Sequence, residues 1–120
     1  MMLDIDSENF LHWLVVNVNG TDVSSGDVIA EYESPTPEVN KPHRYLFTAY
    51  EQLSGEIQPA YLASFVAKNC QRAGARRGLS DPKSFAAFYN LAQPPVAANY
   101  FSVRYNDFVK SIRDYCADKN

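Results

Sequence analysis

A chain of 120 residues that is 46% hydrophobic and 13% aromatic can build one domain with a real core and is too short for two. Its mean hydropathy is −0.33, and its apolar runs fall well below the ~20 residues that span a bilayer, so no transmembrane segment is expected. A net charge of −3 and a pI near 5.2 argue against general nucleic-acid affinity driven by counterion release. The start, Met1-Met2-Leu3-Asp4, has no basic n-region and no h-region, which makes a cytoplasmic protein without a signal peptide the default.

In chain order, Met1–Ile5 opens with no loop, cap or turn, as though the chain were cut inside a larger fold. Residues 6–10 make a short connection. Leu11–Val18 is the first expected strand, with Leu11, Trp13 and Val15 on one face and His12, Leu14, Val16 and Val18 on the other. Both faces are largely apolar, which predicts a strand inside a sandwich. Asn19-Gly20 signals a turn, a polar loop follows over Thr21–Gly26, and a short strand is expected over Val28–Tyr32. The prolines of Ser34–Pro42 predict a stiff surface loop and no strand, because proline fixes φ and cannot donate to a ladder. His43–Tyr50 is the second buried strand, with His43, Tyr45 and Phe47 on one face.

Residues 61–68 fit an amphipathic helix with Leu62, Phe65 and Val66 inward. Ser80-Asp81-Pro82 offers a cap followed by proline at the first helical position. That helix is expected to reach Asn90 with Phe85, Phe88 and Tyr89 as its core stripe. Val96–Arg104 reads as a strand. Asn106–Ala117 reads as a helix burying Phe108, Val109, Ile112 and Cys116. Strands early and helices late suggest an α+β domain built on a sandwich.

Few residues could carry chemistry. Arg72, Arg76 and Arg77 form the one basic cluster. It could hold a phosphate or an acidic partner, but a solvated loop is the commoner meaning of such a run. Cys70 and Cys116 lack CxxC spacing and neighbouring histidines, so they fit no zinc site and would be free thiols in a reducing compartment. A lone histidine such as His12 is usually a satisfied core residue. His43 on a second apolar strand, with Asp4 within reach, changes that balance, since burying two imidazoles and a carboxylate is costly unless they pair or hold a ligand. A carboxylate beside an imidazole favours its cation, a natural seat for an anion such as a phosphate ester. As an acid–base set the trio lacks a nucleophile: no GxSxG, HExxH or P-loop occurs. As metal ligands, His12 and His43 are far apart in sequence for a two-histidine, one-carboxylate site. No catalytic residue, metal or cofactor is assigned.

Leu11-His12-Trp13-Leu14-Val15-Val16-Asn17-Val18, followed by His43-Arg44-Tyr45 and Tyr50-Glu51-Gln52, resembles the phosphatidylethanolamine-binding protein family. Phe85–Leu91, Pro95–Ala98 and Asn106–Val109 fall in family order, and Tyr32–Pro37 is similar to the wording of plant flowering-control members. The resemblance implies a mainly β fold with peripheral helices, an antiparallel Greek-key sandwich of which residues 1–120 form a single partial domain lacking the N-terminal strands. It implies a shallow anion pocket for phosphate, phosphoethanolamine-type head groups or phosphorylated residues. It also implies binding without turnover, as a kinase or protease inhibitor, a lipid head-group carrier or a signalling adaptor. Carried over residue by residue, Asp4, Phe10, His12, His43, Tyr45 and Phe101 form the ligand set. The chain departs from the family pattern at Ile5 (proline in the family), in the short Ser7-Glu8-Asn9 approach, at Lys41-Pro42 (glycine before the second histidine) and at Phe101 (often tyrosine). A shortened Asp block with a retained His strand also resembles the member built into the mitochondrial large ribosomal subunit, which implies a structural domain with a degenerate pocket as the alternative.

Overall fold

The computed structural model describes residues 1–70, 77, 79 and 81–119. Five strands form one antiparallel sheet: β1 (Met2–Asp4), β2 (Phe10–Val16), β3 (Asp27–Ala30), β4 (His43–Ala49) and β5 (Ala97–Val103). Their spatial order is β3-β2-β1-β4-β5. Three consecutive strands are followed by a fourth that returns over a long connection to lie beside the first, which is a Greek key. The proline-rich stretch between β3 and β4 is that connection, and it carries no strand, as its composition predicts. The described chain is thus mainly β with a few peripheral helices.

Alternation along the strands sorts the sheet into two faces. One face contributes Leu3, Leu11, Leu14, Val16 and Ile29 to the hydrophobic core, where Leu62 and Phe85 also pack. Phe85 comes from α1 (Pro82–Phe88), whose N-cap Asp81 accepts from the amides of Lys83 and Ser84 and whose first residue is proline. Leu62 comes from a 3₁₀ stretch, Pro59–Phe65. The C-terminal helix α2 (Asp107–Ala117) is capped by the Asn106 side chain, which accepts from the Val109 amide.

Several expectations fail for local physical reasons. Strand β2 stops at Val16 because Asn17 takes a positive φ of 60°. The Asn17 side chain then donates to Asp27 and to the Ile57 carbonyl, tying the strand end to a distant loop. The polar loop at residues 21–26 contains a 3₁₀ turn, Val23–Ser25, capped by Asp22. The segment expected as an amphipathic helix over 61–68 is the 3₁₀ stretch instead. It is interrupted at Leu62 (φ −104°, ψ 16°), and it buries Leu62 but leaves Val66 exposed. The apolar stripes of both helices were overdrawn: Phe88 is 79% exposed and Phe108 68% exposed, whereas Phe85, Val109 and Cys116 are buried. A seven-residue helix has only two turns, so one aromatic suffices to dock it.

Cys70 and Cys116, expected as free thiols in a reducing compartment, are joined by a disulfide. Arg77, placed by the sequence in a solvated basic loop, is 2% exposed. Its guanidinium donates to the carbonyls of Leu11, Glu31 and Lys68, and its Nε lies 3.9 Å from the buried Glu33 carboxylate. Arg72 and Arg76 of that cluster, and Ser80 of the proposed cap, lie outside the described residues.

The Met1 amino group is buried and donates to the Thr48 carbonyl at 2.7 Å. Burial lowers its pKa from 8.0 to about 6. Between those values the unfolded chain binds a proton that the folded chain refuses, so stability rises with pH over this window. For a chain with a free Met1 amine the gain from pH 6 to 8 is about 2 kcal/mol. Urea melts at both pH values, with and without Nα-acetylation, check this; acetylation should abolish that part of the pH dependence.

Candidate functional site

The β1–β2 pairing sets Met2 against Trp13 but Leu3 against Leu11, so His12 is an extra residue with no partner in β1. This is a β-bulge, the device by which a strand re-aims one side chain. Its effect runs along the rest of the strand. Phe10 and His12 point to the face opposite the core, Trp13 follows His12 onto that face, and Leu14 returns to the core. The expected sharing of a face by His12, Leu14 and Val16 is therefore wrong. Ring contacts confirm the sorting, since His12 meets Tyr45 at 5.2 Å and Trp13 meets Phe47 at 6.5 Å, and Tyr45 and Phe47 are two residues apart on β4.

Register assembles the rest. Asp4 pairs with Phe10 on one side and Tyr45 on the other, and Tyr45 pairs with Phe101. Four of the six expected ligand residues thus form one row across β2, β1, β4 and β5. His43, two residues before Tyr45, lies on the same face, and the His12 bulge brings in the sixth.

His43 Nδ1–H donates to Asp4 Oδ2 at 2.6 Å, and the other Asp4 oxygen accepts from the Asp6 amide at 3.0 Å. Both side chains are buried. With Nδ1 so engaged, His43 Nε2 is buried without a hydrogen-bond partner among the described residues, and the nearest carboxylate oxygen, Glu38 Oε1, is 3.8 Å away. His12 Nδ1–H donates to the Glu33 carbonyl at 2.6 Å, while the Glu33 amide donates to the His12 carbonyl at 2.8 Å. These two bonds lock the bulge to the start of the proline-rich connection and fix the imidazole tautomer with hydrogen on Nδ1.

Asp4, Phe10, His12 and His43 line a cavity of about 200 Å³ together with Ser7, Thr36, Glu38 and Arg113. Tyr45 and Phe101 stand outside this wall. Tyr45 is fully buried behind the two imidazoles, and burial, then the charge of Asp4, hold its hydroxyl well above the ordinary tyrosine range. Phe101 stacks on Tyr45 at 5.6 Å and on Phe47 at 5.7 Å, so it supports the aromatic floor. Asp6 has a different task. Its carboxylate accepts from the Arg44 amide, Nε and guanidinium NH2, and these bonds hold it well below the usual carboxylate range.

Sequence reading missed Ser7, Thr36, Glu38 and Arg113, and of these Arg113 is the cation. It projects from α2, donates to the carbonyls of Thr36 and Pro37 at 3.0 and 3.1 Å, and brings a permanent positive charge to the cavity. A signal existed: Arg113 is four residues after buried Val109 and three before buried Cys116, a cation on the inward helix stripe. A larger open apolar groove of about 1160 Å³, lined by residues including Trp13, Val16, Phe47 and Leu91, shares none of the six expected ligand residues. Among the described residues, no three His, Cys, Asp or Glu side chains group to hold a metal ion, and no helix is long and apolar enough to cross a membrane.

Fold and site together define a Greek-key β-domain with a compact polar cavity walled by two buried imidazoles. The family model described as phosphatidylethanolamine-binding protein matches residues 1–101, and the chain belongs to that family. Among curated relatives, Protein MOTHER of FT and TFL1 homolog 2 of Oryza sativa subsp. japonica is 33% identical over 102 residues, which cover 84% of this chain and 52% of that protein. The 26 kDa secreted antigen of Toxocara canis is 32% identical over 92 residues, covering 76% of this chain and 32% of the antigen. The CG7054 solution structure superposes with a TM-score of 0.68 at 30% identity, covering 95% of this chain and 65% of that one. The chain spans about half the length of the first relative and about a third of the second.

Proposed function

We propose that the cavity binds a phosphoryl group (phosphate, a phosphoethanolamine-type head group or a phosphorylated residue) and that the protein acts by binding, without turnover. One observation carries this reading: His43 Nε2 is buried at the cavity without a hydrogen-bond partner among the described residues, while Asp4 holds the opposite nitrogen. A buried polar atom left unpaired costs about 1–3 kcal/mol, and an anion's oxygen would satisfy it. With Nδ1 held by Asp4, the His43 ring presents Nε2 to the anion, and Arg113 adds a second, permanently charged donor. A role as kinase or protease inhibitor or as signalling adaptor follows if the phosphoryl group belongs to a protein partner.

Inorganic phosphate titrated against the His12 and His43 ring resonances tests the reading. Both rings should shift with saturation at millimolar phosphate or below, and His43→Ala should weaken binding far more than Lys41→Ala. Rings that stay unmoved at millimolar phosphate, with an unchanged Tm, would leave the structural alternative in possession. A cytoplasmic setting belongs to this reading as the expectation from the sequence. The Cys70–Cys116 disulfide supports a second one, an oxidising setting, where such bonds persist.

A further inference from the structure

Seven of the eight residues that line the cavity come from the sheet and its connections; the eighth, Arg113, comes from α2. That helix has 11 residues and buries only Val109 and Cys116 among its described side chains. Phe108 and Tyr115 are 68% and 56% exposed, so little apolar area holds the helix down. A helix this short is marginal in water by itself, being under the ~12–15 residues that isolated helices need. Its covalent tie to the body is the disulfide from Cys116 to Cys70, 46 residues away in sequence. Cys116 lies one helical turn beyond Arg113, on the same stripe. The bond that anchors the helix therefore sits next to the residue the helix delivers.

We propose that the Cys70–Cys116 disulfide is a redox latch on the cavity. Closed, it holds α2 so that the Arg113 guanidinium completes the phosphoryl site; opened, it frees the end of α2 and withdraws that cation. The proposal rests on the phosphoryl-binding reading and adds its regulation. The opening step balances with a dithiol or two monothiols as reductant. Two electrons pass to the protein disulfide, its S–S bond breaks, two protons are taken up to give the Cys70 and Cys116 thiols, and the reductant leaves as its own disulfide. Arg113 is suited to such control because its NH2 donates to the backbone carbonyls of both Thr36 and Pro37, contacts that a shift of α2 breaks together.

The test uses the whole chain and inorganic phosphate, at a temperature where Trp13 fluorescence shows every form folded. Phosphate affinity is measured for the oxidised protein, for the dithiothreitol-reduced protein and for the Cys70→Ser/Cys116→Ser variant, with amide exchange followed along α2. The oxidised form should bind about tenfold more tightly than the other two, the effect of one hydrogen bond to a charged group. Exchange in α2 should quicken on reduction. Arg113→Gln should bind as weakly as the reduced protein when oxidised, and reduction should then cost nothing more. That last result separates the delivery of Arg113 from a general loosening of the fold. Equal affinity in the oxidised and reduced forms overturns the latch and leaves phosphoryl binding standing, as does a full further loss when Arg113→Gln is reduced. No phosphate binding by the oxidised protein overturns both.

Discussion

Replacing Arg77 with methionine is expected to destabilise the protein by about 3–5 kcal/mol, the range for breaking a buried ion pair from one side. For a chain of this size that is a fall in Tm of roughly 10–20 °C. The side chain is 2% exposed, and its donors reach three backbone carbonyls on separate segments: Leu11 in β2, Glu31 after β3, and Lys68. Methionine matches much of its volume but leaves those carbonyls without their donor. It also takes away the guanidinium that lies 3.9 Å from the Glu33 carboxylate, itself fully buried. Pairing the change with Glu33→Gln should recover part of the loss, and a double-mutant cycle by urea denaturation measures how much. A loss under about 1 kcal/mol for Arg77→Met, the size usual for surface sites, would return Arg77 to the solvent. Because Leu11 adjoins His12, the same change should also blur the cavity.

The second large effect concerns Asp4. Asp4→Asn is expected to weaken phosphate binding about tenfold or more, since a hydrogen bond to a charged group is worth about 1.5–3 kcal/mol. The amide replaces the carboxylate that accepts from His43 Nδ1 and can turn its NH2 toward the ring, which loosens the imidazole that faces the anion. Asp6→Asn is the matched control. Asp6 is two residues away, but its oxygens serve Arg44 and not the cavity, so phosphate affinity should stay within about twofold. Isothermal titration of both variants decides; equal losses would show that the Asp4–His43 bond carries none of the effect.

The sequence carried the strands well because their apolar residues and turn signals are local. All six expected ligand residues fall on one sheet face. The bulge was not legible. Leu11–Val16 alternates in the sequence as a regular strand does, and only the pairing of Leu3 with Leu11 and Met2 with Trp13 shows that His12 is the extra residue. Helix stripes were overcounted at Phe88 and Phe108 because a helical period shows which residues share a face, not how much surface awaits them. Arg77 was misplaced for the reverse reason: charge predicts solvent unless a buried acceptor exists elsewhere, and Glu33 is 44 positions away.

By itself, then, the sequence determined a β-rich domain, a Greek-key family fold, and two histidines with Asp4 as the place where polar groups are buried at a cost. The first and last follow from residue type and short-range order, and the Greek-key topology from the family resemblance. Tertiary structure decided which residues wall the cavity, that Tyr45 and Phe101 lie behind it, and that α2 supplies Arg113. It also decided that Cys70 and Cys116 are bonded. Each of these is a contact between distant segments, fixed by how the sheet, the proline-rich connection and α2 fold onto one another, and no local pattern of residues encodes such a meeting.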